Sequence, residues 1–204
     1  MDNDQKSTEE KIFESAVDLF CEKGFDRTTT SEIAKKAGVA EGTIFRYFKT
    51  KKDILSSIAS KAMDILTNIL VIKPINKIIK SNKKEEEIMY EILRDRYDII
   101  TRNFSIIKIL GTEAMTKKQL RDNIVKAIPL KAIKMGEKFY KAGFERGVFR
   151  ELPPRAVVRS FVGSLFMLIA EQQFLPDDYK SKDVDKELRT IVDIYMNGIK
   201  KKGE

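Results

Sequence analysis

Cationic and hydroxyl side chains concentrate between Arg27 and Lys52 of this 204-residue sequence. This stretch holds seven lysines and arginines against two glutamates, whereas residues 1–26 hold three lysines against eight aspartates and glutamates. Ammonium and guanidinium groups form charge-assisted hydrogen bonds with phosphate oxygens, and hydroxyl groups add neutral ones. In a chain of net charge +8, the local excess of cations indicates an anionic partner for this segment.

Catalytic chemistry has few candidate residues, because the sequence contains no histidine and only one cysteine, Cys21. A Ser-His-Asp triad, a Cys-His pair and a histidine-ligated metal therefore cannot be built. No glycine-rich phosphate loop is present either. We expect no enzymatic activity, no cofactor and no metal site. Cys21 lies on the apolar stripe of the first predicted helix, which favours a buried thiol over a redox role.

Three spacings predict where helices begin in the first quarter of the chain. They are Ser7-x-x-Glu10, Thr29-x-x-Glu32 and Thr50-x-x-Asp53, each with a hydroxyl and a carboxyl group placed for reciprocal capping. Gly24 and Gly38 follow the first two apolar patterns, at positions where glycine commonly ends a helix. The sequence therefore predicts two helices ending at these glycines, a third over GTIFRYF and a fourth starting after Thr50.

The second and third predicted helices have about two turns each, too few for stability in isolation. They require the first and fourth helices to pack over them, with Ile44, Phe45 and Phe48 of the third helix pointing inward. Gly38 permits a sharp turn, and Val39 fills the junction. This arrangement predicts a helix-turn-helix motif in which the third helix of the chain is accessible for contact with a partner.

Helical periodicity continues to the end of the chain. Apolar spacing predicts helices over 85–102, over FSIIKIL, over 117–146 with a kink or break around Pro129, from Pro153-Pro154 to about 175, and from Val184 to Ile199. No alternating strand pattern interrupts them, so the predicted fold class is all-α. No apolar run reaches the roughly 20 residues of a membrane span, and the polar N-terminus is unlike a secretory signal. We expect a cytoplasmic protein with no membrane partner.

Residues 7–55 resemble the DNA-binding domain of the tetracycline-repressor (TetR) family of transcriptional regulators, and the resemblance is carried by AVDLFCEKGFDRTTTSEIAKKAGVAEGTIFRYFKTKKDIL (16–55). The features in register are the Gly24-Phe25 turn, Thr29 four residues before Ile33-Ala34, Ala37-Gly38-Val39, Gly42-Thr43 and Phe48-x-x-Lys51. The resemblance covers about a quarter of the chain, and the remainder shares only size and helical character with that family.

This resemblance implies a domain organisation and a function. Residues 1–50 would form a helix-turn-helix DNA-binding domain with its motif at about 29–48. Residues 51–71 would form a connecting helix, and 72–204 a helical ligand-binding and dimerisation domain. The implied function is that of a sequence-specific DNA-binding transcriptional regulator, a ligand-responsive repressor acting as a homodimer on a palindromic operator in double-stranded DNA.

The DNA contacts implied by the resemblance involve nine residues. They are Thr30, Ser31, Glu41, Gly42, Thr43, Arg46, Tyr47, Lys51 and Lys52. Lys51 and Lys52 are expected to bind phosphate at the start of the fourth helix. Arg46 could contact the backbone or read guanine through O6 and N7, and Glu41 could accept from cytosine N4 or repel the DNA.

An apolar or amphipathic small-molecule effector is implied for the C-terminal domain. The candidate pocket residues are Met63, Tyr90, Tyr97, Phe104, Glu113, Met115, Phe139, Phe166 and Glu171. For each aromatic residue or methionine, core packing is the alternative. The two glutamates would orient a cationic or hydroxylated ligand if buried, or would be exposed.

The implied homodimer would use the last two long helices. The candidate interface residues are Phe161, Val162, Gly163, Leu165, Leu168, Val184, Leu188, Ile191, Tyr195 and Ile199. The alternative is that both stripes complete the core of the monomer. A second hypothesis for the protein as a whole is an architectural or surface-associated protein that binds DNA without sequence preference and has no small-molecule sensor.

Overall fold

The computed structural model describes residues 7–69, 83–127 and 129–199 of the chain. Within these ranges the architecture is all-α, as predicted. The helices are α1 (Thr8–Lys23), α2 (Thr30–Ala37), α3 (Glu41–Tyr47), α4 (Lys51–Ile69), α5 (Glu85–Arg102), α6 (Phe104–Thr116), α7 (Lys118–Ala127), α8 (Pro129–Glu145), α9 (Pro154–Phe174) and α10 (Val184–Ile199). None of them is long and apolar enough to cross a membrane.

The predicted capping boxes set the starts of α1, α2 and α4. In α1 and α2, the hydroxyl of Ser7 or Thr29 accepts from a backbone N–H, and the glutamate three residues later accepts from the cap's own N–H. At α4, the Thr50 N–H donates to Asp53 Oδ2 at 2.8 Å, and the Asp53 N–H donates to Thr50 Oγ1 at 3.2 Å. These local bonds place the starts of α1, α2 and α4, of which α2, with eight residues, is too short to be stable alone.

Two compact units divide the described chain, and the first contains residues up to Leu66 together with Asn103–Asp122. Its core includes five fully buried aliphatic side chains from α1 to α4, namely Ile12, Ile33, Ile44, Ile54 and Ile58. Ile109 of α6 is 6% exposed and belongs to the same core. The contacts thus group α6 with the N-terminal helices, whereas the sequence analysis assigns residues 72–204 to one C-terminal domain.

Polar contacts also join α6 to the end of α1. The Cys21 thiol donates to the Ser105 carbonyl at 3.1 Å, and Lys108 Nζ donates to the Cys21 carbonyl at 3.2 Å. A cation at the C-terminus of α1 is favourable because the last carbonyls carry partial negative charge. Cys21 is half-buried rather than fully buried, and burial raises the pKa of its thiol, which disfavours the reactive thiolate.

The second unit contains Thr67–Arg102 and the described residues from Asn123 onward. In it α8 packs on α9, and α5 packs on α10. The predicted helix over 117–146 is two helices, with α8 beginning at Pro129, and the predicted short helix over FSIIKIL extends to Thr116. Behind α8, the Phe149 ring stacks on Tyr140 with centroids 5.3 Å apart, and the Tyr140 hydroxyl donates to the Arg150 carbonyl at 2.7 Å.

Gly143 is the position in α8 that lets Phe149 approach the helix. A methyl group added at Gly143 would lie 2.3 Å from two carbons of the Phe149 ring, which is only 1% exposed. We expect Gly143→Ala to lower the free energy of unfolding by about 1 to 2 kcal/mol, because a packed ring must move to admit the methyl group. Urea unfolding would measure this change. Gly111→Ala is the matched control, since a methyl group there meets open space, and an equal loss in both variants would contradict the packing explanation.

Candidate nucleic-acid interface

Three consecutive threonines, Thr28 to Thr30, have different contacts at the start of α2. Thr28 is buried, and its hydroxyl donates to the Gly24 carbonyl at 2.9 Å. Thr29 is the N-cap and exchanges hydrogen bonds with Glu32. The Thr30 hydroxyl donates to Glu41 Oε1 at 2.6 Å, which connects the first turn of α2 with the first residue of α3.

The turn between α2 and α3 is built on Gly38. Its φ of 69° and ψ of 33° lie in the left-handed region, which glycine adopts without steric cost. The N–H of Val39 donates to the Ala34 carbonyl at 3.0 Å and that of Gly38 to the Lys35 carbonyl at 3.3 Å, a Schellman motif. Val39 packs against the core, as predicted. The turn therefore fixes the direction in which α3 leaves α2.

One face of α3 is anchored and the remainder is accessible. Ile44 and Phe48 are buried in the core, whereas Glu41, Gly42 and Arg46 are exposed and Tyr47 is 43% exposed. Of the other predicted contact residues, Ser31 and Lys52 are exposed, while Thr30, Thr43 and Lys51 are partly buried. The helix-turn-helix thus brings together a hydroxyl, a carboxylate, a guanidinium and a phenol on one accessible surface.

Phe45 also belongs to this accessible surface. The sequence analysis predicts an inward-facing Phe45, and this prediction is wrong, because the side chain is 48% exposed. Ile44 and Phe48 lie four residues apart and share the buried face, and Phe45 points about 100° away from Ile44 and about 60° away from Phe48. Phe45 therefore lies at the edge of the buried face, where the packing of α3 on the core leaves it accessible.

Lys51 has a different environment from the one predicted for it. Its Nζ donates to the carbonyls of Phe25 at 2.9 Å and Thr28 at 2.8 Å, with a longer bond to Asp26 at 3.4 Å. The same atom lies 4.4 Å from the centroid of the Phe25 ring. The ammonium group therefore binds the turn between α1 and α2 in this structure, and the contact of Lys51 with phosphate stays a prediction.

Other cations near the motif divide into paired and unpaired groups. Lys36 pairs with Asp18 at 2.9 Å, and Lys23 pairs with Glu32. The hydrogen bond from Lys23, together with those from Thr29, lowers the pKa of Glu32 to about 2, so this carboxylate stays charged at neutral pH.

Arg46, Lys49 and Lys52 are exposed, and within the described ranges none of them forms an ion pair. Lys49 is an addition to the predicted set. These three cations, at the end of α3 and the start of α4, are free to meet phosphate.

Comparison with known proteins identifies this arrangement. Residues 12–58 match the family described as bacterial regulatory proteins, tetR family. Residues 12–58 are a tetR-family domain. The match spans the core of α1 to α4 and every residue of the turn, and it confirms the resemblance seen in the sequence.

Two curated relatives match the part of the chain that contains the tetR-family domain. The fatty acid metabolism regulator protein of Bacillus subtilis is 47% identical over 53 residues, which are 26% of this chain and 27% of that protein. The biofilm operon negative transcriptional regulator IcaR of Staphylococcus aureus is 31% identical over 86 residues, 42% of this chain and 46% of that protein. The matches thus span less than half of these relatives' length.

A crystal structure of AibR shares the fold beyond the tetR-family domain. It superposes with a TM-score of 0.64 at 20% identity, covering 92% of this chain and 97% of that one. That structure contains isovaleryl coenzyme A and operator DNA. At this identity the likeness shows the common fold and nothing further.

The predicted pocket residues outside the tetR-family domain divide between the two units. In the second unit, the Tyr90 hydroxyl donates to Asp185, the Phe139 ring lies 6.1 Å from Phe149, and Phe166 is 56% exposed. Tyr97 and Glu171 are half-buried. A side chain that is 56% exposed does not fit a closed pocket within the second unit.

In the first unit, Glu113 pairs with Lys117 at 2.6 Å and Met115 is 79% exposed, while Phe104 is half-buried. The pairing gives Glu113 a partner other than a ligand. The side chain of Met63 lies outside the described residues. The assignment of these nine residues to an effector pocket therefore stays a prediction.

Several of the predicted dimer residues are buried or packed within the monomer. Leu165, Leu168 and Leu188 are at most 5% exposed within the chain, and the Phe161 ring packs edge-on against Tyr195 at 5.2 Å. Val162, Val184 and Ile191 are half-buried, Gly163 is exposed, and the side chain of Ile199 lies outside the described residues. The exposed apolar side chains of α9 and α10 are instead Phe166, Met167, Phe174 and Ile194, each more than half exposed.

Proposed function

We propose that this protein is a sequence-specific DNA-binding transcriptional regulator, a cytoplasmic repressor without enzymatic activity. The observation that carries the proposal is the accessible part of α3, which presents Glu41, Arg46 and Tyr47 on a helix that Ile44 and Phe48 fix to the core. A helix held in this way fits the major groove, where base edges present distinct donors and acceptors. The relatives matched in this region are regulators, and IcaR is a negative one.

Phosphate binding would come from the exposed cations at the ends of the motif. Arg46 and Lys49 lie at and after the end of α3, and Lys52 lies in the first turn of α4. Their charges are free of intrachain ion pairs among the described residues, so no such pair must be broken when they meet DNA. The lack of histidine in the sequence supports a binding role over catalysis.

The proposed regulator acts as a homodimer, because a palindromic operator requires a two-fold protein. The exposed stripe of α9 that includes Gly163, Met167 and Phe174, together with Ile194 of α10, is the surface that we assign to this contact. Gly163 carries no side chain and faces open space, which allows a second helix to approach closely. The buried leucines predicted from sequence would support this surface from behind.

We expect Met167→Lys to weaken dimerisation about 30-fold or more, which corresponds to the loss of an interface hot spot. The substitution places a charge on each side of a two-fold contact without disturbing the monomer core, since Met167 is 59% exposed. Analytical ultracentrifugation over a concentration series would measure the change. Met115→Lys, on α6, is the matched control at 79% exposure. Unchanged association of the Met167 variant would exclude this surface.

An apolar or amphipathic effector would act by favouring a conformation that does not bind the operator. A ligand with equal affinity for both conformations does not shift the equilibrium between them. The loss of operator affinity is therefore set by how much more tightly the effector binds the conformation that does not bind DNA. The proposed route is α4, because this one helix belongs to the first unit up to Leu66 and to the second from Thr67. AibR, which shares the fold, was crystallised with an acyl coenzyme A.

A salt titration would test the proposed function against binding without sequence preference. DNA from upstream of the protein's own gene and random DNA of equal length would be compared between 50 and 200 mM salt. We expect both affinities to fall with salt and the upstream DNA to remain bound about 1000-fold or more tightly. Equal affinities at every salt concentration would support the architectural alternative and overturn the proposal.

A further inference from the structure

We propose that Thr30 is a positioning residue that holds the carboxylate of Glu41 in place to read a cytosine, an inference that rests on the proposed function. The Thr30 hydroxyl donates to Glu41 Oε1 at 2.6 Å, across the turn that joins α2 to α3. Glu41 is exposed at the first residue of α3, on the accessible face of that helix.

An exposed glutamate needs such a partner in order to discriminate between bases. Its side chain loses considerable rotamer freedom when it is fixed, and this entropy opposes a base contact formed from a mobile state. A hydrogen bond that already exists in the free protein removes part of this cost before DNA arrives. Oε1 accepts from Thr30, and the described residues provide no further hydrogen bond to the carboxylate, so Oε2 remains available.

The chemistry of a carboxylate selects the base. An ionised carboxylate only accepts hydrogen bonds. Thymine O4 and guanine O6 and N7 are acceptors that would face the carboxylate repulsively, whereas cytosine N4 and adenine N6 are amino donors. Adenine places the acceptor N7 beside its amino group and cytosine does not, which favours cytosine. Phe45, one turn further along α3, is also exposed.

The Thr30 hydroxyl is available to hold Glu41, because the two preceding threonines make the hydrogen bonds that stabilise the start of α2. Thr29 caps α2, and Thr28 fixes the preceding turn through the Gly24 carbonyl. Removing the Thr30 hydroxyl therefore leaves the start of α2 capped. Thr30→Val keeps the shape and the branched Cβ, and Thr30→Ser keeps the hydroxyl.

The experiment measures the affinity of each variant for a panel of operators substituted one base pair at a time. The position at which Glu41→Gln changes base preference defines the contact. We expect Thr30→Val to reduce the preference for cytosine at that position about three- to tenfold, the range for one hydrogen bond. Preferences at all other positions should be retained, and Thr30→Ser should restore the wild-type preference.

The possible outcomes separate this inference from the proposed function. A wild-type protein without any base preference would refute the proposed function itself. A wild-type protein that discriminates while Thr30→Val keeps its full cytosine preference would refute only the positioning role. A uniform loss across all positions, accompanied by a lower melting temperature, would show that the Thr30–Glu41 bond merely ties the two helices together, and it would also overturn the inference.

Discussion

Lys51→Met is expected to lower the free energy of unfolding by about 2 to 3 kcal/mol, because it removes a charged donor from two backbone carbonyls at once. Those carbonyls, of Phe25 and Thr28, belong to the turn between α1 and α2 and accept from Lys51 Nζ at 2.9 and 2.8 Å. Methionine matches the length of the lysine stem but has no donor, so both carbonyls lose the ammonium group, and the Phe25 carbonyl keeps only the Thr28 N–H at 3.3 Å. The contact of the ammonium group with the Phe25 ring is lost as well.

Lys52→Met is the matched control for this stability effect. Lys52 is the next residue of the same helix and is exposed, without an ion pair among the described residues. We expect its substitution to leave the unfolding free energy unchanged within about 0.5 kcal/mol and to lower the slope of log affinity against log salt by about 2 per dimer. Chemical unfolding and a salt titration of both variants would show the contrast. A stable Lys51 variant with a reduced salt slope would contradict the structural role and support the phosphate contact.

Arg46→Ala is expected to produce the largest loss of operator affinity. Arg46 is exposed on α3, and a homodimer would present it twice, so a loss of about 1 to 3 kcal/mol per half-site doubles. The dimer should therefore bind at least about 30-fold more weakly. The reason is that either predicted partner, guanine or phosphate, would lose a charge-assisted hydrogen bond.

A substituted operator panel would separate the two partners of Arg46. If the arginine reads guanine, the variant loses discrimination at one position and keeps its preferences elsewhere. If it binds phosphate, the variant weakens uniformly and its salt slope falls. Lys35→Ala is the control, because Lys35 is exposed on α2 and belongs to no predicted contact. Wild-type affinity and wild-type salt slope for the Arg46 variant would exclude both contacts.

Local signals in the sequence predicted most of the N-terminal unit. Capping boxes and helix-ending glycines act over three or four residues, so Ser7, Thr29 and Gly38 could be assigned without knowledge of the fold. The role of Lys51 could not be predicted in this way. Its three carbonyl partners lie 23 to 26 residues earlier in the chain, and only the packing of α4 beside the turn brings them together.

The remaining differences also arise from tertiary packing. An apolar stripe such as that of α9 does not reveal whether it covers the monomer or a second copy, and Leu165 and Leu168 proved to be buried within the chain. The grouping of α6 with α1 depends on Ile109 and on the Cys21–Ser105 contact, more than 80 residues apart in sequence. Phe45 lies about 60° from the buried Phe48 in a helical projection, so its exposure too depends on how α3 packs on the core.

Selection from a random double-stranded DNA library, followed by sequencing of the bound fraction, tests the central claim most directly. The protein is predicted to enrich an inverted repeat, because a homodimer presents two copies of α3 related by a two-fold axis. Each half-site should contain a position that prefers cytosine in the wild type and loses that preference in Glu41→Gln. Enrichment of no common sequence at 150 mM salt, with binding that depends on salt alone, would contradict the account of this protein as a sequence-specific regulator.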